Sequence, residues 1–301
     1  MTLFKELDER LFPNFQRHTI QGKDGEIHAL VGGNGPPLLM LHGDPQTHLC
    51  WHHIAPTLAQ DYTVVLTDLR GRGESHKPGI TPENIAYSKR VSASEQLEVM
   101  ETLGFKSFRL VGHDRGARVA RRMALDHPDR IERLAVMDIV PLLDFYENTT
   151  AKIAQDYYYF FFLTQPSPVP EDLIRGNPKT VTSQILTGLP GQVSPYDPDV
   201  FRAYLASGAS EDGIVAMCEC FRAGLSQDIH HDRDDRKAGR TIGCPTLVMW
   251  GEEGVVGKNF DIRGIWSSWA PDCTFAPMPC GHFIPEEEPT LALNSLRKFL
   301  E

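Results

Sequence analysis

One stretch of the sequence has the residue types and spacing of a covalent catalyst: Leu110-Val111-Gly112-His113-Asp114-Arg115-Gly116-Ala117-Arg118. An apolar run leads into it and a helical pattern leads out. Gly-x-Asp-x-Gly is the spacing of a nucleophile elbow, with Asp114 where serine more often stands. The glycines leave room for a sharp turn that lifts one side chain above a sheet edge, and the N-terminus of the following helix favours a negative charge there. A serine in this place transfers acyl groups. A carboxylate is weaker towards carbonyls but displaces a leaving group at a saturated carbon, leaving an ester that water can hydrolyse. Reading Asp114 as a plain helix N-cap leaves the flanking glycines and the preceding apolar run unexplained.

Hydrolysis of such an ester needs a base. Among 12 histidines, His282 is singled out by Pro279-Cys280-Gly281-His282-Phe283-Ile284-Pro285, after the last apolar run and near the C-terminus. It follows the nucleophile in chain order, as this kind of site requires, and is expected to activate water. A carboxylate should orient it. Asp138 ends the apolar run Leu134 to Met137, whereas Glu252 and Glu253 follow the run Thr246 to Trp250. Asp138 is preferred, because a carboxylate that terminates an apolar strand is costly to bury without a partner. Backbone N–H groups around His42-Gly43-Asp44-Pro45 and at Arg115 are candidates for an oxyanion hole.

The elements that must position these groups are legible as alternating strands and helices. Near-continuous apolar runs occur at Pro37 to Leu41, Thr63 to Leu66, Phe108 to Val111, Leu134 to Met137 and Thr246 to Trp250. This is the pattern of a mostly parallel sheet with helices on both faces. An N-terminal hairpin is predicted from Arg17 to Leu30, turning at Gly22-Lys23-Asp24-Gly25. Helices are predicted over Ser92 to Leu103, Arg115 to Asp126 and Leu291 to Leu300. Residues 142–240 break the rhythm and are punctuated by Pro166, Pro168, Pro170, Pro178, Pro190, Pro195 and Pro198. They are read as an inserted helical cap on a core made of residues 1–141 and 241–301.

The chain has 301 residues, 41% hydrophobic and 23% charged, with a formal net charge of −10. That excludes a disordered or collagen-like chain and argues against a nucleic-acid partner. No run is long enough to span a membrane, and the N-terminus has no signal-peptide pattern, so a cytoplasmic protein is expected. Cys50, Cys218, Cys220, Cys244, Cys273 and Cys280 form no CxxC pair. They read as reduced thiols, and no metal, nucleotide or organic cofactor is implied.

The motifs together resemble the haloacetate dehalogenases, the fluoroacetate dehalogenase group of the α/β-hydrolases, over nearly the whole chain. They are His42-Gly43-x-Pro45-Gln46-Thr47-His48, Asp68-Leu69-Arg70-Gly71, His113-Asp114-Arg115-Gly116, Ala135-Val136-x-Asp138-Ile139 and Gly281-His282-Phe283. The resemblance implies an α/β-hydrolase fold, displacement of halide from a 2-halocarboxylate by Asp114, and hydrolysis of the ester with His282 and Asp138. It also implies that Arg115 and Arg118 grip the substrate carboxylate, which suits bidentate guanidinium binding from one side of a helix. A homodimer is a further implication by analogy.

The cap departs from that pattern. Such dehalogenases hold halide with a His-Trp pair and a Tyr. Aligned on Phe162-Leu163-Thr164-Gln165-Pro166, the pair becomes Tyr159-Phe160, and the Tyr becomes Phe221. Only one phenol remains, so the pocket is poorly equipped for fluoride. Asp44 replaces an aromatic residue often found between Gly and Pro. Tyr159 also matches the place of a ring-opening Tyr in epoxide hydrolases of the same fold, although their second Tyr would fall at Phe221. The expectation is therefore a 2-haloacid dehalogenase, with hydrolysis of a small, carboxylate-bearing epoxide as the alternative. A non-catalytic ligand-binding member of the fold is a third reading, which the intact Asp114, His282 and Asp138 set speaks against.

Overall fold

The apolar runs of the sequence form the middle of one sheet. In the computed structural model, which describes residues 2–187 and 195–301, the strands are β1 (Gln16–Gln21), β2 (Glu26–Gly32), β3 (Pro37–Leu41), β4 (Thr63–Thr67), β5 (Phe108–His113), β6 (Ile131–Met137), β7 (Thr246–Gly251) and β8 (Cys273–Met278). Their order across the sheet is β1-β2-β4-β3-β5-β6-β7-β8. β1 and β2 form the expected hairpin, and β2 lies antiparallel to β4. All later pairings are parallel.

Successive strand residues point to opposite faces, and this sorts them into two apolar layers. Leu39, Leu41, Val65, Leu110 and Val136 join Val119 and Met123 of the helix Arg115–Asp126 on one face. Leu38, Met40, Val64, Val111 and Met137 join Leu296 and Leu300 of the helix Pro289–Leu300 on the other. Helices on both faces leave the inner strands no exposed side, which is why those runs are apolar throughout. β8 is the edge strand. Apart from Met278 its residues are exposed or half-buried, so it carries no apolar run and is invisible to that criterion.

The helix Lys89–Thr102 starts three residues before the predicted Ser92, because the Ser88 side chain accepts the Val91 N–H and caps it there. It buries Glu95 and Gln96, which answer Arg70 and Thr67. Among the described residues, every element between β6 and β7 is helical. Pro190 lies outside the described residues. The six cysteines are free thiols, and no helix among the described residues is long and apolar enough to cross a membrane.

The parallel register places the carboxyl ends of the strands together. Leu41 pairs with Gly112, His113 with Met137, and Met137 with Met249. The segments that follow β3, β5, β6 and β8 therefore open on one edge, where ligands bind in open α/β sheets.

Candidate active site

Asp114 occupies the turn between β5 and the helix Arg115–Asp126, with φ 46° and ψ −115°. This is backbone that L-residues rarely adopt, and such strain persists only where surrounding structure enforces it. The enforcement is steric. A Cβ on Gly112 would lie 2.6 Å from Ala117 N, and one on Gly116 would lie 2.3 Å from Leu41 O. The Asp114 carboxylate does not cap the helix. It turns instead towards the loop after β3, where its Oδ1 accepts the Asp44 N–H at 2.9 Å.

His282 follows β8 and faces the same carboxylate, its Nε2 3.6 Å from Asp114 Oδ2. Its Nδ1 lies 2.5 Å from Asp138 Oδ2. Asp138 is fully buried, and its other oxygen accepts the Gly251 N–H at 2.8 Å. Glu252 and Glu253 are exposed, so the carboxylate that holds the imidazole is the one that ends β6. The loop around His282 is pinned by Glu287, which accepts the N–H groups of Gly281 and Phe283 at 2.7 and 2.8 Å.

The electrostatics favour charge separation across the pair. Burial lowers the His282 pKa, but the Asp138 hydrogen bond and the charges of Asp138 and Asp114 outweigh it, and the net shift is upward. Burial works against the Asp114 charge, yet His282, Arg118 and the Asp44 N–H hold its carboxyl below the usual range.

Asp114 opens on a cavity of ≈ 30 Å³ lined by Asp44, Arg115, Arg118, Phe160 and Phe221. The two arginines project from one side of their helix. Among the described residues Arg118 makes a single hydrogen bond, to Val140 O at 2.9 Å, and it lies 5.8 Å from the Phe160 ring centre. Arg115 donates to Arg70 O at 2.8 Å and to Asp44 Oδ1 at 3.4 Å, while its buried Nε has no partner among the described residues. Asp44 is chiefly held by Arg72, through two bonds of 2.7 and 2.9 Å. Phe160 and Phe221 meet edge to face at 4.9 Å and make that wall apolar.

Residues 36–168 match the family model of the alpha/beta hydrolase fold. Over 291 residues the chain is 40% identical to a fluoroacetate dehalogenase from Burkholderia sp, spanning 96% of this chain and 95% of that one. The chain belongs to the dehalogenase group of the α/β-hydrolases. Epoxide hydrolases are its relatives too: a soluble epoxide hydrolase from Corynebacterium sp. (strain C12) is 30% identical over 277 residues, 91% of this chain and 93% of the other. A solved structure from Nostoc sp PCC 7120, provisionally described as an α/β hydrolase, superposes with a TM-score of 0.93 and 44% identity, over 96% of this chain and 99% of that one.

In this hydrolase Tyr159 lies on the His282 side of the site. It lines an open groove with Tyr157, Glu253 and His282, its ring meets Phe160 and Phe221 at 5.4 and 6.0 Å, and burial, with the Asp114 charge nearby, pushes its phenol pKa well up. The cavity gains two side chains that no motif announces, Tyr146 and Lys89. Burial raises the Tyr146 phenol to about 12, and its hydroxyl makes no hydrogen bond among the described residues. The only hint in the sequence is that Tyr146 sits where the chain leaves β6 for the helices that precede β7. Lys89 is paired with Asp228 at 3.1 Å. Nothing in the sequence marks it, since its place depends on how a core helix meets the insertion.

Proposed function

We propose that this α/β-hydrolase releases halide from a small 2-halocarboxylate through an ester on Asp114. Arg115 and Arg118 bind the substrate carboxylate with their unspent donors, and the helices of residues 142–240 cap the site. An Asp114 oxygen attacks the halogen-bearing carbon from behind, a C–O bond forms, and halide departs with the C–X electron pair. His282 Nε2 then takes a proton from water, and the oxygen of that water adds to Cγ of Asp114. The Asp44 N–H supports the oxyanion on Asp114 Oδ1. Collapse breaks the bond between Cγ and the ester oxygen that Asp114 supplied, the proton passes from His282 to that oxygen, a 2-hydroxyacid leaves, and the new Asp114 carboxyl loses its proton to solvent.

Esterification also changes the base. With the Asp114 charge gone, one influence that raises the His282 pKa disappears. The loss of that charge favours the neutral imidazole, which is able to take a proton, in the step that needs it.

The observation that carries this reading is the cavity in which Asp114 stands beside two arginines that keep guanidinium N–H groups unspent. A small cavity with cationic walls suits a short carboxylate. The apolar Phe160 and Phe221 wall suits chloride or bromide better than fluoride, which needs strong hydrogen-bond donors to leave. Halide release from chloroacetate, bromoacetate and fluoroacetate tests this, with chloride and bromide expected well ahead of fluoride. Equal rates on fluoroacetate would contradict the apolar halide wall.

A second reading is epoxide opening. It is favoured by the Tyr146 hydroxyl, which lies in the same cavity without a partner among the described residues and is able to protonate an epoxide oxygen. Diol formation from a small epoxide, with no halide release from any haloacid, would select it.

A further inference from the structure

Behind the His282 ring lies a row of buried polar side chains that the chemistry above does not use. Tyr204 donates its hydroxyl hydrogen to Glu286 Oε1 at 2.5 Å. The Gln46 amide lies 3.3 Å from the same oxygen through Nε2, and 3.1 Å from His113 Nδ1 through Oε1. His113 Nε2 lies 2.8 Å from the His282 carbonyl oxygen. Tyr204, Gln46 and His113 have no exposure, and Glu286 is 5% exposed.

This arrangement holds a conflict. Burial and the neighbouring His282 hold the His113 pKa down near 3, so its ring is neutral and carries one N–H. Yet both ring nitrogens face acceptors, Gln46 Oε1 and His282 O. One contact would set lone pair against lone pair, in a buried place where an unmet polar group is costly.

Turning the Gln46 amide by half a revolution exchanges its oxygen and nitrogen with nothing else moved. Gln46 Nε2 then donates to His113 Nδ1, and His113 Nε2–H donates to His282 O. The Gln46 oxygen now faces Glu286 Oε1, which satisfies it only if Glu286 carries a proton there. The surroundings favour that proton. Tyr196, Tyr204 and Asp197 face Glu286 from the inserted helices, Cys50 from the turn His48–Trp51, and Glu287 from its own helix. Glu286 pairs with no cation among the described residues. Burial raises its carboxyl to about 8.

We propose that Tyr204, Glu286, Gln46 and His113 form a directional hydrogen-bond chain that holds the His282 backbone while Glu286 is protonated, and that ionisation of Glu286 reverses the Gln46 amide and releases that hold. All four are positioning residues. On the alkaline side, a charged Glu286 must accept from Gln46 Nε2. The Gln46 oxygen then accepts from His113 Nδ1–H, and His113 Nε2 loses its proton and its bond to His282 O. The inference that the chain governs turnover rests on His282 acting as the base. The chain itself is testable without any substrate.

The test is nitrogen-15 NMR of the full chain with labelled histidine, reading which His113 nitrogen is protonated. At about pH 6 the proton is expected on Nε2, and at about pH 10 on Nδ1. In Glu286→Gln, whose amide donates to Gln46 as the neutral acid does, Nε2–H is expected at both values. An Nδ1–H tautomer at the lower pH, a parent chain that never switches, or a Glu286→Gln variant that switches like the parent would overturn the proposal. Glu286→Gln should also move the alkaline loss of turnover upward by at least about one pH unit, and an unmoved limb would remove the chain's hold on His282. Absence of haloacid turnover would count against the substrate reading and leave the tautomer result standing.

Discussion

Asp44 Oδ1 lies 3.4 Å from Arg115 Nη1, so a carboxylate of the protein already touches one of the two guanidinium groups offered to substrate. Arg72 takes most of the Asp44 charge through its paired bonds, but the remainder weakens Arg115 as an anion receptor. Asp44→Asn keeps the shape and the backbone N–H that reaches Asp114. Arg72 keeps its bonds to Gly71 O and Gly213 O. KM for chloroacetate should fall about fivefold, which is about 1 kcal/mol of regained attraction. A raised KM with unchanged thermal stability would show that Asp44 helps binding rather than competing with it.

Arg118 is the less encumbered of the two receptors, with one bond among the described residues, to Val140 O. Arg118→Leu should raise KM for haloacetates by about 10- to 100-fold, the worth of a hydrogen-bonded charge pair. The comparison substrate is chloroacetamide, which has no carboxylate. Equal losses on both would remove the arginine clamp from the account.

The Asp114 charge is one of the influences that raise the His282 pKa. Removing it has a definite sign: in Asp114→Asn, the His282 titration followed by NMR should move to lower pH than in the parent chain. The same shift is what an ester on Asp114 would produce. An unchanged or higher midpoint would mean that the two side chains do not sense each other.

At the elbow, a methyl group on Gly116 would sit 2.3 Å from Leu41 O, a backbone atom with little freedom to retreat. Gly116→Ala should destabilise the fold by about 1–3 kcal/mol, read as a fall in Tm. Gly176→Ala is the control, since nothing lies within 4 Å of its added Cβ. Equal Tm values for the two variants would contradict the packing described at the elbow.

What was legible in the sequence depended on how local its physical cause is. β3 to β7 announce themselves because burial on both faces forbids polar residues, whereas the edge strand β8, mostly exposed or half-buried, carries no such signature. Asp114, Arg115 and Arg118 are readable together because one turn and one helix fix all three. His282 is found from its glycine and its place in the chain. Tyr146, Lys89 and the Arg72 grip on Asp44 depend on contacts between distant elements, and no local pattern encodes them. Tyr159 and Phe160 are adjacent in the chain and both pack near Phe221, a meeting of two distant helices that no local pattern encodes.

The central claim is an ester on Asp114, and trapping it is the most direct measurement. His282→Gln removes the base while leaving the nucleophile and the arginines in place. After incubation with chloroacetate, intact-mass analysis should show one added carboxymethyl group per chain, located by peptide mapping to Asp114. An unmodified Asp114 in that variant, from a parent chain that does release chloride, would contradict the account.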